Sequence, residues 1–210
     1  MRNVIFLIML WMFTGCHSVN GQRKMVQTCQ FTPAICQENY DTLSNGINKF
    51  KAMGGLFVVM DVKTSEIVDE ISINMENLNY HPDNIVKLLG FQNKNTPQQI
   101  LAVYSLLVNN NEEKLADLRK ALQNNIIKGS GKNADVQESN VHGITSTDFT
   151  SKDNKEVYTT FLGDFTSGEQ QYALILVLDA PQGIKSTYGF NSAGWNAVKV
   201  ARKVIQNIVE

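Results

Sequence analysis

The feature that most constrains this chain is Tyr172-Ala173-Leu174-Ile175-Leu176-Val177-Leu178, the most apolar run beyond the N-terminal segment, closed by Asp179 and a Pro181/Gly183 turn. Unbroken hydrophobicity, with no period-two alternation, is the pattern of a strand whose two faces are both buried. A buried helical segment is the alternative, but Gly168 and Pro181 bracket too few residues for one. We read the run as the central strand of a sheet. Such a strand needs other strands beside it and helices over at least one face.

The chain supplies both. From Gln37 the positions Tyr40, Leu43, Ile47 and Phe50 recur at helical spacing, and Gly54-Gly55 ends that helix. Leu56 to Asp61 reads as a buried strand, Lys63-Thr64-Ser65 as a turn, and Glu66 to Ile73 as a more polar strand whose Asp69 and Glu70 suit an edge facing water. Thr96-Pro97-Gln98-Gln99 is a helix start, because Thr96 can cap, Pro97 fits the first turn and Gln99 can close a capping box. Ile100, Leu101, Tyr104 and Leu107 form its buried face; Leu115, Leu118, Leu122 and Ile126 mark a further helix ending near Gly129. Beyond Gly143 the period returns to two. Ser192 is placed to cap a last helix with Trp195, Val198, Ala201, Ile205 and Ile208 inward. This order predicts an α+β fold, a five-stranded antiparallel sheet with flanking N- and C-terminal helices.

At 210 residues with 43% hydrophobic content, one domain with one good core is expected. A net charge of -1 with no basic cluster on a helix face excludes the usual nucleic-acid footprint. No cofactor or metal motif is present: His17 and His81 have no carboxylate or cysteine cluster around them, and Cys29 and Cys36 lack the histidine pair a zinc site would need. Asp61 and Asp179 end strands and read as turn caps.

Arg2 precedes the apolar stretch Val4 to Phe13, too short for the ~20 residues of a membrane-spanning helix. Residues 1–15 read as a secretory signal. Its end, Phe13-Thr14-Gly15-Cys16, resembles the bacterial lipobox, although Phe13 stands where leucine is usual. That resemblance implies lipidation of Cys16 and, with His17 and not Asp following, an outer-membrane anchor facing the periplasm. An ordinary signal peptide with a chance cysteine, or a short anchor, are the alternatives. Residues 16–36 read as a tether and 37–210 as the domain. In an oxidising envelope Cys29 and Cys36 can persist as a disulfide around Pro33, and two free thiols remain the alternative.

Several stretches together resemble the transpeptidase domain of class B penicillin-binding proteins. Gly54 to Ile67 is similar to that family's first hairpin, in which a strand ends in Asp before a Lys-Thr-Gly-Glu turn; here Ser65 replaces the glycine. Thr96 to Tyr104 resembles its Thr-Pro-Leu-Gln helix, with Asn109-Asn110-Asn111 where Asn-Gly-Gly would stand. Gly143-Ile144-Thr145-Ser146-Thr147 aligns with Gly-Lys-Thr-Gly-Thr, and Phe161-Leu162-Gly163, the central strand and Tyr188-Gly189 follow in family order. The resemblance implies that Gly143 to Thr147 form an edge strand that receives a peptide.

The departures carry the functional expectation. The family's acyl transfer uses the serine of Ser-x-x-Lys, a Ser-x-Asn motif and the lysine of Lys-Thr-Gly. Here Ile144 holds the lysine position, and a short Asn-rich connection between Ile73 and Gly90 replaces the helical subdomain that bears the other two motifs. Ser44, Ser65 and Ser105 have no lysine three residues on. Ser146 paired with His142 as base fails, since residues four apart on a strand lie about 13 Å apart. The chain is therefore expected to be a non-enzymatic envelope lipoprotein, a scaffold or binding partner in a secretion, conjugation or division assembly, whose partner adds to the edge at Gly143 to Thr147. A module that holds peptidoglycan stem peptides, or a minimal serine acyltransferase or hydrolase, are the alternatives.

Overall fold

The computed structural model describes residues 25–75, 82, 85, 89, 95–110, 113–149, 157–182 and 192–210. Strands β1 (Met25–Cys29), β2 (Gly54–Asp61), β3 (Ile67–Ile73), β4 (His142–Phe149), β5 (Val157–Ser167) and β6 (Gln170–Asp179) form one sheet in the order β1-β3-β2-β6-β5-β4. Every pairing is antiparallel. Helices α1 (Pro33–Phe50), α2 (Pro97–Asn109), α3 (Ala116–Lys128) and α4 (Ala197–Val209) pack around it.

The apolar run takes the position its composition requires. It lies in β6, paired with β2 on one side and β5 on the other, and Ala173 to Leu178 are fully buried. Its alternate side chains serve two cores. Leu174, Leu176 and Leu178 meet α1 and α4 through Leu43, Ile47, Val198 and Ile205. Ala173, Ile175 and Val177 meet α2 and α3 through Ile100, Leu101, Tyr104 and Leu122. Each fully buried Leu or Ile contributes about 1.5–3 kcal/mol over its exposed state, so Leu176→Ala would cost about 2–5 kcal/mol. The two helices of the first layer approach closely at Gly46, where an added Cβ would stand 2.6 Å from a Val200 methyl.

Helix α2 begins as its sequence predicts. The Gln99 amide N–H donates to Thr96 Oγ1 at 3.2 Å, and the Thr96 N–H donates back to Gln99 Oε1 at 2.9 Å. Asp61 caps its turn, accepting from the Thr64 N–H at 2.8 Å. Ser65 there has φ +60°, the left-handed conformation that favours glycine.

Five expectations are corrected. The sheet has six strands, not five, because β1 forms within the stretch read as a tether at 16–36. The first helix starts at Pro33, with Thr32 as its cap, so ordered structure begins before residue 37. β3 is an inner strand, with β1 outside it, and Asp69 is buried, not facing water. The last helix is capped by Asn196, whose Oδ1 accepts from the Ala197 N–H; Ser192 precedes a short 3-10 turn, Ala193–Trp195, and makes no capping bond. Trp195 lies in that turn, with Lys199 Nζ 5.4 Å over its ring, and is not a core residue of the helix. Among the described residues no helix is long and apolar enough to cross a membrane.

Candidate functional site at the outer strand

The stretch Gly143 to Thr147 lies in β4, and among the described residues β4 is the outer strand of the sheet, with β5 its one strand partner. Its side chains alternate. Ile144 packs against the core beneath α2, and His142, two residues earlier on the same face, reaches Asp164. Along a strand the main-chain groups alternate sides as well. The Gly143 carbonyl accepts from Asn125 Nδ2 of α3 at 2.9 Å, on the side away from β5, so the main-chain groups of Thr145 and Thr147 face outward too.

Part of this edge is covered. Helix α3 runs against the first half of β4, and the Ser130 hydroxyl just beyond it is hydrogen-bonded to that of Thr145. Thr147 Oγ1 accepts from the Ala193 N–H at 3.1 Å, which fastens the 3-10 turn before α4 to the strand. Phe149, at the strand's end, is 59% exposed.

At the start of β4 lies a polar cluster that sequence reasoning missed. Asp164 of β5, opposite His142 in the register, is 3% exposed and accepts three hydrogen bonds. Tyr104 Oη of α2 donates at 2.8 Å, Gln171 Nε2 of β6 at 2.9 Å, and His142 Nδ1 lies at 3.1 Å. Burial and the neighbouring carboxylate push the Tyr104 phenol well up, so it stays a neutral donor. The hydrogen bond to Asp164 raises the His142 pKa above 6.5, with burial opposing. A charged residue inside the otherwise apolar stretch Phe161 to Phe165 is the sequence signal that could have flagged this cluster.

The site holds no assembled nucleophile among its described residues. Ser146 is 3% exposed and its Oγ has no hydrogen-bond partner, so no base activates it. Ile144 carries neither charge nor proton. Among the described residues no group of three or more His, Cys, Asp or Glu side chains could hold a metal ion.

Elsewhere, Cys29 and Cys36 are joined as a disulfide that ties the end of β1 to the first turns of α1. Next to it lies a second buried polar group. Asp69, paired with Cys29 in the sheet register, accepts from Asn39 Nδ2 of α1 at 2.8 Å, and Asn207 Nδ2 of α4 donates to Asn39 Oδ1 at 3.0 Å. Burial raises the Asp69 pKa to about 7, against the opposing hydrogen bond from Asn39. Cys16, His17, His81, Asn111 and Tyr188-Gly189 lie outside the described residues.

No protein-family model and no curated protein sequence matches the chain. Solved structures do. The transpeptidase domain of an FtsI-type D,D-transpeptidase from Legionella pneumophila is similar with a TM-score of 0.70 at 14% identity, over 86% of this chain and 98% of that one. A peptidoglycan glycosyltransferase from Burkholderia ambifaria is similar with a TM-score of 0.59 at 11% identity, over 84% of this chain and 95% of that one. The transpeptidase domain of penicillin-binding protein 3 from Burkholderia pseudomallei gives a TM-score of 0.58 at 12% identity, over 85% of this chain and 94% of that one. The chain thus has the fold of penicillin-binding transpeptidase domains, an α+β fold with an antiparallel sheet and flanking helices.

Proposed function

We propose that this protein is a non-catalytic module of the bacterial cell envelope, built on the transpeptidase fold, that binds an extended segment of an envelope partner along the outer edge of β4. The observation that carries the reading is β4 itself, an outer strand with Ile144 where the Lys-Thr-Gly motif holds its lysine. Acyl transfer requires an activated nucleophile, a proton shuttle and a charge for the substrate carboxylate. Ser-x-x-Lys occurs nowhere in the sequence, and Ile144 removes the charge. What remains is strand addition, in which main-chain bonds supply affinity and the exposed Phe149 side chain supplies selectivity. The α3 helix over Gly143 and Thr145 directs a partner to the half of the edge from Thr147 to Phe149.

Envelope location is supported by the penicillin-binding neighbours and by the signal-like residues 1–15, and we infer that Cys16 carries the lipid that anchors the protein, at the outer membrane facing the periplasm. Labelled fatty acid enters the wild type and not Cys16→Ala; equal labelling of both removes the anchor. For the edge, a photo-crosslinking residue is placed at Phe149 in living cells. The account expects a discrete adduct that disappears in Thr147→Pro, which deletes one outward donor from the strand. An adduct of equal yield in a folded Thr147→Pro variant, or none from the wild type, refutes edge binding. Sedimentation with purified wall sacculi separates a stem-peptide ligand from a protein partner.

A further inference from the structure

The Cys29–Cys36 bridge and the Asp69 carboxyl are one cluster. Cys29 and Asp69 are direct partners across β1 and β3, so their side chains leave the same face of the sheet with Cβ atoms about 5 Å apart. Both meet α1, Cys29 through its bond to Cys36 and Asp69 through the Asn39 amide, three residues further along the same helix face. Asp69 is fully buried; its Oδ2 accepts from Asn39, while its Oδ1 is buried with no hydrogen-bond partner. Such an oxygen is costly to keep unless a donor arrives in another state of the protein. A reduced Cys29 supplies one, because its thiol hydrogen exists only once the bridge is open.

The two sulfurs are set differently. Cys36 lies in the first turns of α1, an 18-residue helix whose N-terminal end favours an anionic sulfur, whether its own or an incoming one. Cys29 stands against the carboxyl. Both cysteines are half-buried, within reach of a small thiol. We propose that the bridge is a thiol–disulfide exchange site for an external dithiol, in which Cys36 is the attacked sulfur and Asp69 is the proton donor to the departing Cys29.

A thiolate of the dithiol, its proton released to water, bonds to Cys36 Sγ as the Cys29–Cys36 bond breaks, and the electron pair leaves on Cys29. Asp69 passes its proton to that sulfur and becomes a carboxylate, whose Oδ1 accepts the new Cys29 S–H. The second thiol, deprotonated by water, closes on the first as a cyclic disulfide and expels Cys36, which takes a proton from solvent. Asp69 is reprotonated from water. The dithiol is oxidised and the protein reduced by two electrons. Burial holds the Asp69 carboxyl up to about 7, so near neutrality it has a proton to give. Around it β2 offers Val59, and Asp61 on the same face is engaged by Gln170 and the Thr64 N–H. The phenols of Tyr40 and Tyr172 border the same core, and the Asn207 amide comes from α4. The charged side chains of α1 and α4, Glu38, Asp41, Lys49, Lys199, Arg202 and Lys203, are exposed.

The test uses the full-length protein with dithiothreitol as the dithiol. Bridge opening is followed by alkylation and intact mass, and its rate is expressed per dithiothreitol thiolate. In the wild type this rate should fall about tenfold between about pH 6 and about pH 8, as the Asp69 proton is lost, and in Asp69→Asn it should stay level. If ionised Asp69 acted only by loosening the fold, opening would quicken over the same range. A wild-type rate that rises or stays level, or a fall retained in Asp69→Asn, overturns the proposal. Should Asp69→Asn fail to fold, the Asp69 carboxyl carbon resonance of the wild type decides. Reduction should lower its titration midpoint by about one pH unit, through the Cys29 S–H on Oδ1, and equal midpoints in the two redox states overturn the role of Asp69. For the order of attack, Cys29→Ser should take up glutathione from glutathione disulfide about tenfold faster than Cys36→Ser. Equal or reversed rates overturn that order.

Discussion

Tyr104 of α2 and Asp164 of β5 lie 60 residues apart in sequence, and the Tyr104 hydroxyl donates to Asp164 Oδ1 at 2.8 Å. That bond fixes the helix over one face of the sheet to the strand beside the proposed binding edge. It also completes the set of donors that lets a carboxylate remain buried there.

Tyr104→Phe removes one donor from this buried carboxylate. A hydrogen bond to a charged group contributes about 1.5–3 kcal/mol, so urea denaturation should show a loss of that order. With one donor fewer, Asp164 becomes a stronger acceptor, and the His142 titration seen by NMR should move upward. An unchanged midpoint and unchanged titration would remove the cluster from the account.

Asp69 makes stability fall as pH rises. Its folded pKa of about 7 lies above the ordinary 3.8, so the folded state holds the proton more tightly than the unfolded chain does. The resulting stability is fully present below about pH 4 and is lost as pH climbs to about 7. His142, raised above 6.5, acts in the same sense in a higher window. Asp69→Asn should therefore flatten the pH dependence between 4 and 7 and be more stable than wild type at pH 8, by about 1–4 kcal/mol. Parallel denaturation curves for the two proteins at pH 5 and pH 8 would contradict this.

Ser65 occupies a left-handed conformation with φ +60° in the exposed β2–β3 turn. Ser65→Gly relieves that strain, and thermal unfolding should show a gain of about 0.5–1 kcal/mol, reduced in part by the greater freedom of an unfolded glycine. A loss would show that the serine contributes a bond to the turn that outweighs its strain.

The Cys29–Cys36 disulfide closes a short loop between β1 and α1. By chain entropy its removal in Cys29→Ser/Cys36→Ser should cost about 2.5 kcal/mol, and hydrogen exchange should quicken first in β1. Exchange that is unchanged in β1 would show that its pairing to β3 needs no help from the bridge.

What could be read from the sequence is local or periodic. The buried run in β6 and the capping box of Thr96 and Gln99 declare themselves within a few residues. The sixth strand did not, because Met25, Gln27 and Thr28 are exposed and the segment becomes a strand only by pairing with β3. Asp69 read as an edge residue for the same reason: its partners, Asn39 and through it Asn207, lie 30 and more residues away. At the candidate site, the edge position of Gly143 to Thr147 was legible through the order of the motifs. The anchoring of His142 by Asp164 was not, since it depends on the register between β4 and β5 and on the approach of α2.

The central claim is a transpeptidase fold without acyl transfer, and intact-mass spectrometry after incubation with benzylpenicillin tests it most directly. The account predicts an unshifted mass for the wild type and for Ile144→Lys, which restores a charge but no nucleophile. A stable increment of one penicillin, mapped to any serine and abolished by its alanine variant, would contradict it.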